Sequence, residues 1–151
     1  MELRDKVHRL FGAGESGEMN INVLSFGFKF GLPMDADLVF DVRFLPNPFY
    51  EESLKHKSGM VPEVGAYIEK SRVTKSFEKR LDDMLTFLVP EYIKEGKSQL
   101  VIAVGCTGGM HRSVFIAKHI FELMTKLGYQ ATLEHRDLMK NDVREHMPQE
   151  V

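Results

Sequence analysis

The chain has almost no cysteine, no surplus of either charge and no long apolar run, and each absence closes a class of function. Cys106 is the only cysteine among 151 residues, so no intrachain disulfide and no all-cysteine metal site can form. Lys and Arg total 20 against 22 Asp and Glu, a formal charge of −2. That excludes attachment to nucleic acid by bulk charge; any such contact must be a local patch. The longest apolar runs, such as Leu100–Val104, are far too short to span a bilayer. The charged start MELRDKVHRLF lacks the apolar segment of a signal peptide. His8, His56, His119 and His146 are scattered without ligand spacing and no H-E-x-x-H occurs, so no metal is expected. No cofactor is expected either. What remains is a soluble, cytoplasmic mixed domain, long enough to bury about 70% of its unfolded surface.

Hydrophobic periodicity supplies the elements. Residues 2–11 predict a short helix with Leu3, Val7, Leu10 and Phe11 on one stripe, followed by a Gly-rich break over 12–19. Residues 20–28 and 38–43 predict strands, and 44–60, with Pro46, Pro48 and Gly59, predict a long loop. Helices are expected over 61–71 and 75–95, the second kinked or split by Pro90. The run QLVIAVG over 99–105 has the composition of a central parallel strand. A helix over 112–127 with two apolar faces follows, capped by Gly128, then a strand over 131–135 and a polar, partly helical tail. This alternation predicts an α/β fold of three layers, a mainly parallel sheet with helices on both faces. The expected organisation is an N-terminal helix and linker over 1–19 and a single domain over 20–151.

Gly12, Gly14 and Gly17 spell the dinucleotide-binding spacing G-x-G-x-x-G, but a helical stripe precedes them and a strand follows, the reverse of the context that motif needs. As a P-loop the stretch fails too, because Glu18 stands where a lysine must neutralise phosphate. These glycines are read as a linker.

The segment that carries chemistry is the turn Gly105-Cys106-Thr107-Gly108-Gly109-Met110-His111-Arg112-Ser113. Gly108 and Gly109 let the backbone curl close to a ligand. The helix start offers unpaired N–H groups and the positive end of a macrodipole. Arg112 adds a planar fork, and Thr107 and Ser113 add hydroxyls. Ligands in open parallel sheets bind beyond the carboxyl ends of strands, where this turn must lie. The expectation is a phosphate site; the plain alternative is a tight turn with a buried cysteine and a surface arginine. Cys106 and Arg112 also satisfy C-x5-R with Ser113 next, the spacing of the protein tyrosine phosphatase loop. There the cysteine is the nucleophile, and an acid such as Asp35, Asp37 or Asp41 would protonate the leaving group.

Asp41 and Arg43 lie two apart on a strand and share a face, so they either read hydroxyl and phosphate groups or pair with each other to fix the loop. Lys29 either reaches the same mouth or is a solvated surface lysine. His135 and Arg136 either line the pocket or form an ion pair there with Asp137, and Asn47 is a further candidate near the mouth.

VLSFGFKFGLPMDADLVFDVRFLPNP, GKSQLVIAVGCTGGMHRSVFIAKHI and EHRDL closely resemble the C-terminal domain of the RapZ/YvcJ family, bacterial nucleotide-binding proteins and RNase adapters, from about Val23 to Leu138. Family members normally begin with a P-loop domain carrying G-x-S-G-x-G-K-S; that motif does not occur here. Residues 1–19 resemble the junction that follows it, as in a free-standing version or a fragment. The resemblance implies a fold akin to a phosphofructokinase subdomain and a sensory, non-catalytic role. Its ligand would be a sugar phosphate, glucosamine 6-phosphate in some members, with small regulatory RNA and further copies of the chain as partners. Carried over, the site comprises Asp41, Thr107, Gly108 and Arg112, with Lys29, Arg43 and His111 nearby. Phe49 stands where amino-sugar-binding members have His. Tyr129 follows Gly128 where RNA-binding members have lysine. In the tail, Arg136, Lys140 and Arg144 are offset by Asp137, Asp142 and Glu145, leaving no local cation surplus for a phosphate backbone.

Overall fold

The computed structural model describes residues 19–145; the expected N-terminal helix and most of the glycine linker lie outside them. β1 (Asn20–Gly27), β2 (Leu38–Asp41), β3 (Gln99–Cys106) and β4 (Gln130–His135) form one sheet in the order β2-β3-β1-β4, every pair parallel. With α1 (Pro62–Glu69), α2 (Arg72–Lys94) and α3 (Arg112–Lys126), the chain is a mixed α/β fold consistent with a three-layer arrangement.

Strand register shows how the core is built. Ile21 pairs with Leu100 and Val23 with Ile102, so these side chains share a face with Val104. They join α1 residues Val64 and Ile68, α2 residues Leu81, Leu85 and Val89, and α3 residues Ile116, Ile120 and Met124 in one buried cluster. Neighbouring positions on the other face include the exposed Val39, Thr132 and Glu134. At the sheet's carboxyl edge that face is closed by Phe26 and Phe28, packed edge to face at 4.9 Å.

α2 begins three residues earlier than the periodicity predicts, because the Ser71 side chain accepts the Val73 amide and caps it. Of the two effects expected of Pro90, a kink or a split, the split does not occur: the helix runs unbroken to Lys94. Proline removes one amide donor, and the buried residues Leu85 and Val89 hold the turn before it in the core. Within the described residues the tail forms a short 3-10 turn at Leu138–Lys140. Among the described residues, no helix is long and apolar enough to cross a membrane.

Parallel strands bring all four carboxyl ends to one edge. The chain leaves β1 toward β2 on one side and leaves β3 toward β4 on the other, although β1 and β3 are neighbours. In an open parallel sheet a ligand crevice lies beyond the carboxyl ends of the strands.

Candidate functional site

That crevice is a cleft of about 420 Å³. Its lining combines the β3–α3 turn with Lys29 after β1, Asn47, Phe49, Tyr50, Lys55 and His56 from the 44–60 loop, and Asn141 and Asp142 from the tail.

Backbone packing shapes the turn. Gly109 has φ of 77°, and a Cβ on it would lie 2.7 Å from the Gly27 nitrogen, so it holds the turn against the end of β1. Gly108 lines the cleft instead, and its carbonyl accepts the Asn141 side-chain amide at 2.8 Å. Among the described residues, none of the amides from Thr107 to Ser113 donates to a protein acceptor. The first intrahelical bond of this end runs from the Phe115 amide to the His111 carbonyl. The last of these donors belong to the N-terminal, positive end of α3.

Arg112 is 5% exposed. Its Nη1 donates to the carbonyl oxygens of Arg43 at 2.5 Å and Leu45 at 3.3 Å, while its buried Nε has no partner among the described residues. One prong of the fork is thus a clamp on the loop after β2, while Nε–H, a donor that is costly to leave unmet, is buried without a partner among the described residues. His111 is buried, and its Nε2–H donates to the Lys55 carbonyl at 3.1 Å. Burial holds its pKa below the usual histidine range, against the pull of the Lys55 carbonyl, so the ring is uncharged at neutral pH. Positive charge at the cleft therefore comes from Arg112, Lys29 and Lys55. Neither lysine has a carboxylate within ion-pair distance among the described residues. The one carboxylate on the lining, Asp142, is bound by Arg144 at 2.6 Å and lies 3.4 Å from His56.

The remaining predicted residues sit elsewhere. Asp41 and Arg43 do not line the cleft. They form a bidentate pair, with Nε–Oδ1 at 2.9 Å and Nη2–Oδ2 at 2.6 Å, and the guanidinium lies 4.0 Å over the Phe28 ring. The Arg43 side-chain bond holds the Asp41 carboxyl below its usual range, helped by the Arg112 charge. Ser113 is buried and accepts the Cys106 Sγ–H at 3.2 Å; Cys106 itself is 3% exposed on the cleft floor. His135 contacts Ser25 Oγ at 2.7 Å, and Arg136 pairs with Asp137 at 2.7 Å, both away from the cleft. Asp35 is exposed, and Asp37, before β2, binds the Val101 amide and Lys97. No aspartate expected as a phosphatase acid is on the lining.

Sequence reasoning missed Tyr50, Lys55, His56, Met110, Asn141 and Asp142 as lining residues. Apart from Met110, which belongs to the turn itself, they reach the cleft because the loop and tail fold over it: the Arg144 amide donates to the His56 carbonyl, and Glu145 accepts the Ser58 amide and hydroxyl. A composition signal existed in the aromatic pair after Asn47-Pro48, where Asn47 Oδ1 accepts the Phe49 amide and fixes a 3-10 turn.

A family model described as the RapZ C-terminal domain matches residues 19–139. The chain belongs to the RapZ C-terminal domain family. It is 58% identical over 141 residues to a nucleotide-binding protein of Caldicellulosiruptor saccharolyticus, covering 93% of this chain and 48% of that protein. A nucleotide-binding protein of Clostridium novyi is 55% identical over 140 residues, covering 91% and 48%. One from Clostridium botulinum strain Eklund 17B is 53% identical over 139 residues, covering 91% and 47%. The chain spans about half the length of these curated relatives. Most of the cleft lies in the matched region: the turn, both lysines and the aromatic pair fall within 19–139, while Asn141 and Asp142 lie just beyond it.

Proposed function

We propose that this domain is a non-catalytic sensor that holds a phosphorylated metabolite, a sugar phosphate or a nucleotide, on the turn between β3 and α3. The observation that carries the reading is the run of amides from Thr107 to Ser113 without acceptors among the described residues, beside the Arg112 Nε, likewise unpartnered among them. Donors fixed in place before a ligand arrives lose little freedom on binding, and a helix N-terminus favours negative charge. Phosphate oxygens take the amides and Arg112 Nε–H, Lys29 and Lys55 supply field, and the exposed Thr107 hydroxyl orients the group. Asp41 and Arg43 act one step back: their pairing fixes the backbone whose carbonyls hold Arg112. The name nucleotide-binding protein carried by the relatives supports a binding role.

The buried thiol bound to Ser113, and a lining that includes none of Asp35, Asp37 and Asp41 and whose Asp142 is paired with Arg144, favour binding over cysteine-dependent hydrolysis. Titration calorimetry against inorganic phosphate, sugar phosphates and nucleotides tests the reading, with Gly108→Ala as control. A Cβ there meets only Asn141 Oδ1 at 3.2 Å and Lys29 Cε at 3.9 Å, so the fold tolerates it while the methyl enters the cradle. Saturable binding by wild type that falls about tenfold or more in Gly108→Ala is expected, about the free energy of one to two hydrogen bonds. No binding by any phosphorylated compound contradicts the proposal.

A further inference from the structure

The cleft has a second wall that a bare phosphate does not use. Phe49 is 49% exposed and Tyr50 79% exposed, both on the lining, with ring centroids 5.8 Å apart and planes at 84°. Two adjacent exposed rings leave a large apolar area in water. They are also held firmly. Pro48 is buried beneath them, Asn47 Oδ1 accepts the Phe49 amide, and the Tyr50 and Glu51 amides return to the carbonyls of Asn47 and Pro48.

This aromatic turn is tied to the phosphate turn by three bonds. Arg112 holds the Leu45 carbonyl, His111 holds the Lys55 carbonyl, and the Gly59 amide donates to the Met110 carbonyl. The distance between anion cradle and rings is therefore built into the fold. Lys55 Nζ lies 4.6 Å from the Phe49 ring centroid, over one ring and on the lining of the same cleft. Tyr50 is left as the open platform, backed by Phe49 at right angles.

We infer that the ligand of this cleft is a phosphomonoester bearing a flat aromatic group, of which a nucleoside monophosphate is the biological form, with its base stacked on the Phe49–Tyr50 wall. The inference rests on the phosphate reading above and adds the group at the other end of the molecule. A volume of about 420 Å³ lies within the range of small-molecule sites that combine an apolar wall with a few fixed polar groups. Stacking on an aromatic side chain accepts any base, because each presents a π-face. Phe49 and Tyr50 thus discriminate nucleotide from plain sugar phosphate rather than one base from another.

The test titrates the whole chain with inorganic phosphate, ribose 5-phosphate and adenosine 5′-monophosphate. The proteins are wild type, Phe49→Ala/Tyr50→Ala and, as a milder surface change, Tyr50→Ala alone. Circular dichroism checks the fold. Wild type is expected to bind the nucleotide about tenfold or more tighter than ribose 5-phosphate. The double variant should reduce the two to equal affinity without altering inorganic phosphate. If the double variant loses its fold, Tyr50→Ala must show a narrowed ratio. Equal wild-type affinities, or a ratio that survives the aromatic substitutions, overturn the inference and leave the phosphate reading standing. Failure of all three compounds to bind overturns both.

Discussion

Two corners of the same sheet edge deal with anions in opposite ways. At the end of β4 the protein brings its own: the Asp137 carboxylate, fully buried, accepts the Gly27 amide at 2.8 Å and pairs with Arg136 at 2.7 Å and Lys140 at 2.8 Å. Burial alone would raise its pKa. The Arg136, Gly27 and Lys140 donors outweigh that effect and hold it down to about 2. At the end of β3 a similar set of donors, amides and a guanidinium, is bonded to no carboxylate among the described residues. Both corners contain an arginine, a tight turn and an adjoining glycine. An arginine beside a turn therefore says little by itself, and what marks a binding site is a donor set the fold has left incomplete.

The largest expected effect of breaking the open corner comes from Arg112→Ala. It removes the fork and frees the Arg43 and Leu45 carbonyls, so affinity for phosphorylated ligand should fall about a hundredfold, on the scale of a lost charge-assisted bond. Stability should fall by about 2–4 kcal/mol, from lost packing and two lost acceptor contacts. Calorimetry reads the first and urea denaturation the second.

Breaking the filled corner should do the reverse. Asp137→Ala leaves the Gly27 amide unmet and should cost about 2–3 kcal/mol of stability while changing phosphate affinity less than about twofold. Its pH dependence has a fixed sign. A carboxyl held at about 2 against an ordinary 3.8 stabilises the fold above 3.8, and that stability is lost as pH falls through 2. Denaturation midpoints of wild type should therefore drop across that window, and those of Asp137→Ala should drop less.

A smaller effect separates the cleft from the rest of the molecule. Glu78 is buried beside Glu69, Asp82 and His119, and burial first, then the neighbouring carboxylates, raise its pKa to about 8. A raised carboxyl favours the fold below its unfolded value of 4.5, and that contribution is lost as pH rises through 8. Glu78→Gln should flatten the decline in stability over that range and leave phosphate binding unchanged. Binding that follows the Glu78 titration would mean that the two regions are coupled.

Much of this arrangement was legible in the sequence. Alternation in β1, the unbroken apolar run of β3 and the residues between Cys106 and Ser113 placed the sheet and the turn, because period and turn chemistry are local properties. The fate of Asp41 and Arg43 could not be read, since spacing puts them on one face but does not say whether they face a ligand or each other; they close on each other. The division of Arg112 into a clamp and a donor unpartnered among the described residues was likewise hidden. Its acceptors at Arg43 and Leu45 lie almost 70 residues away, at separations of 69 and 67. The rim from Lys55, His56 and Asn141 was invisible for the same reason, being made by contacts across the long loop and the tail. Sequence could not choose between a kink and a split at Pro90; burial around it keeps the helix unbroken.

The most direct test is an amide-resolved NMR titration with inorganic phosphate. Saturable shifts should be concentrated on the amides of Thr107 to Ser113 and on the Arg112 Nε–H signal, with the Gly27 amide at the Asp137 corner unmoved. Shifts absent from the turn, or no larger there than at Gly27, would contradict the phosphate reading.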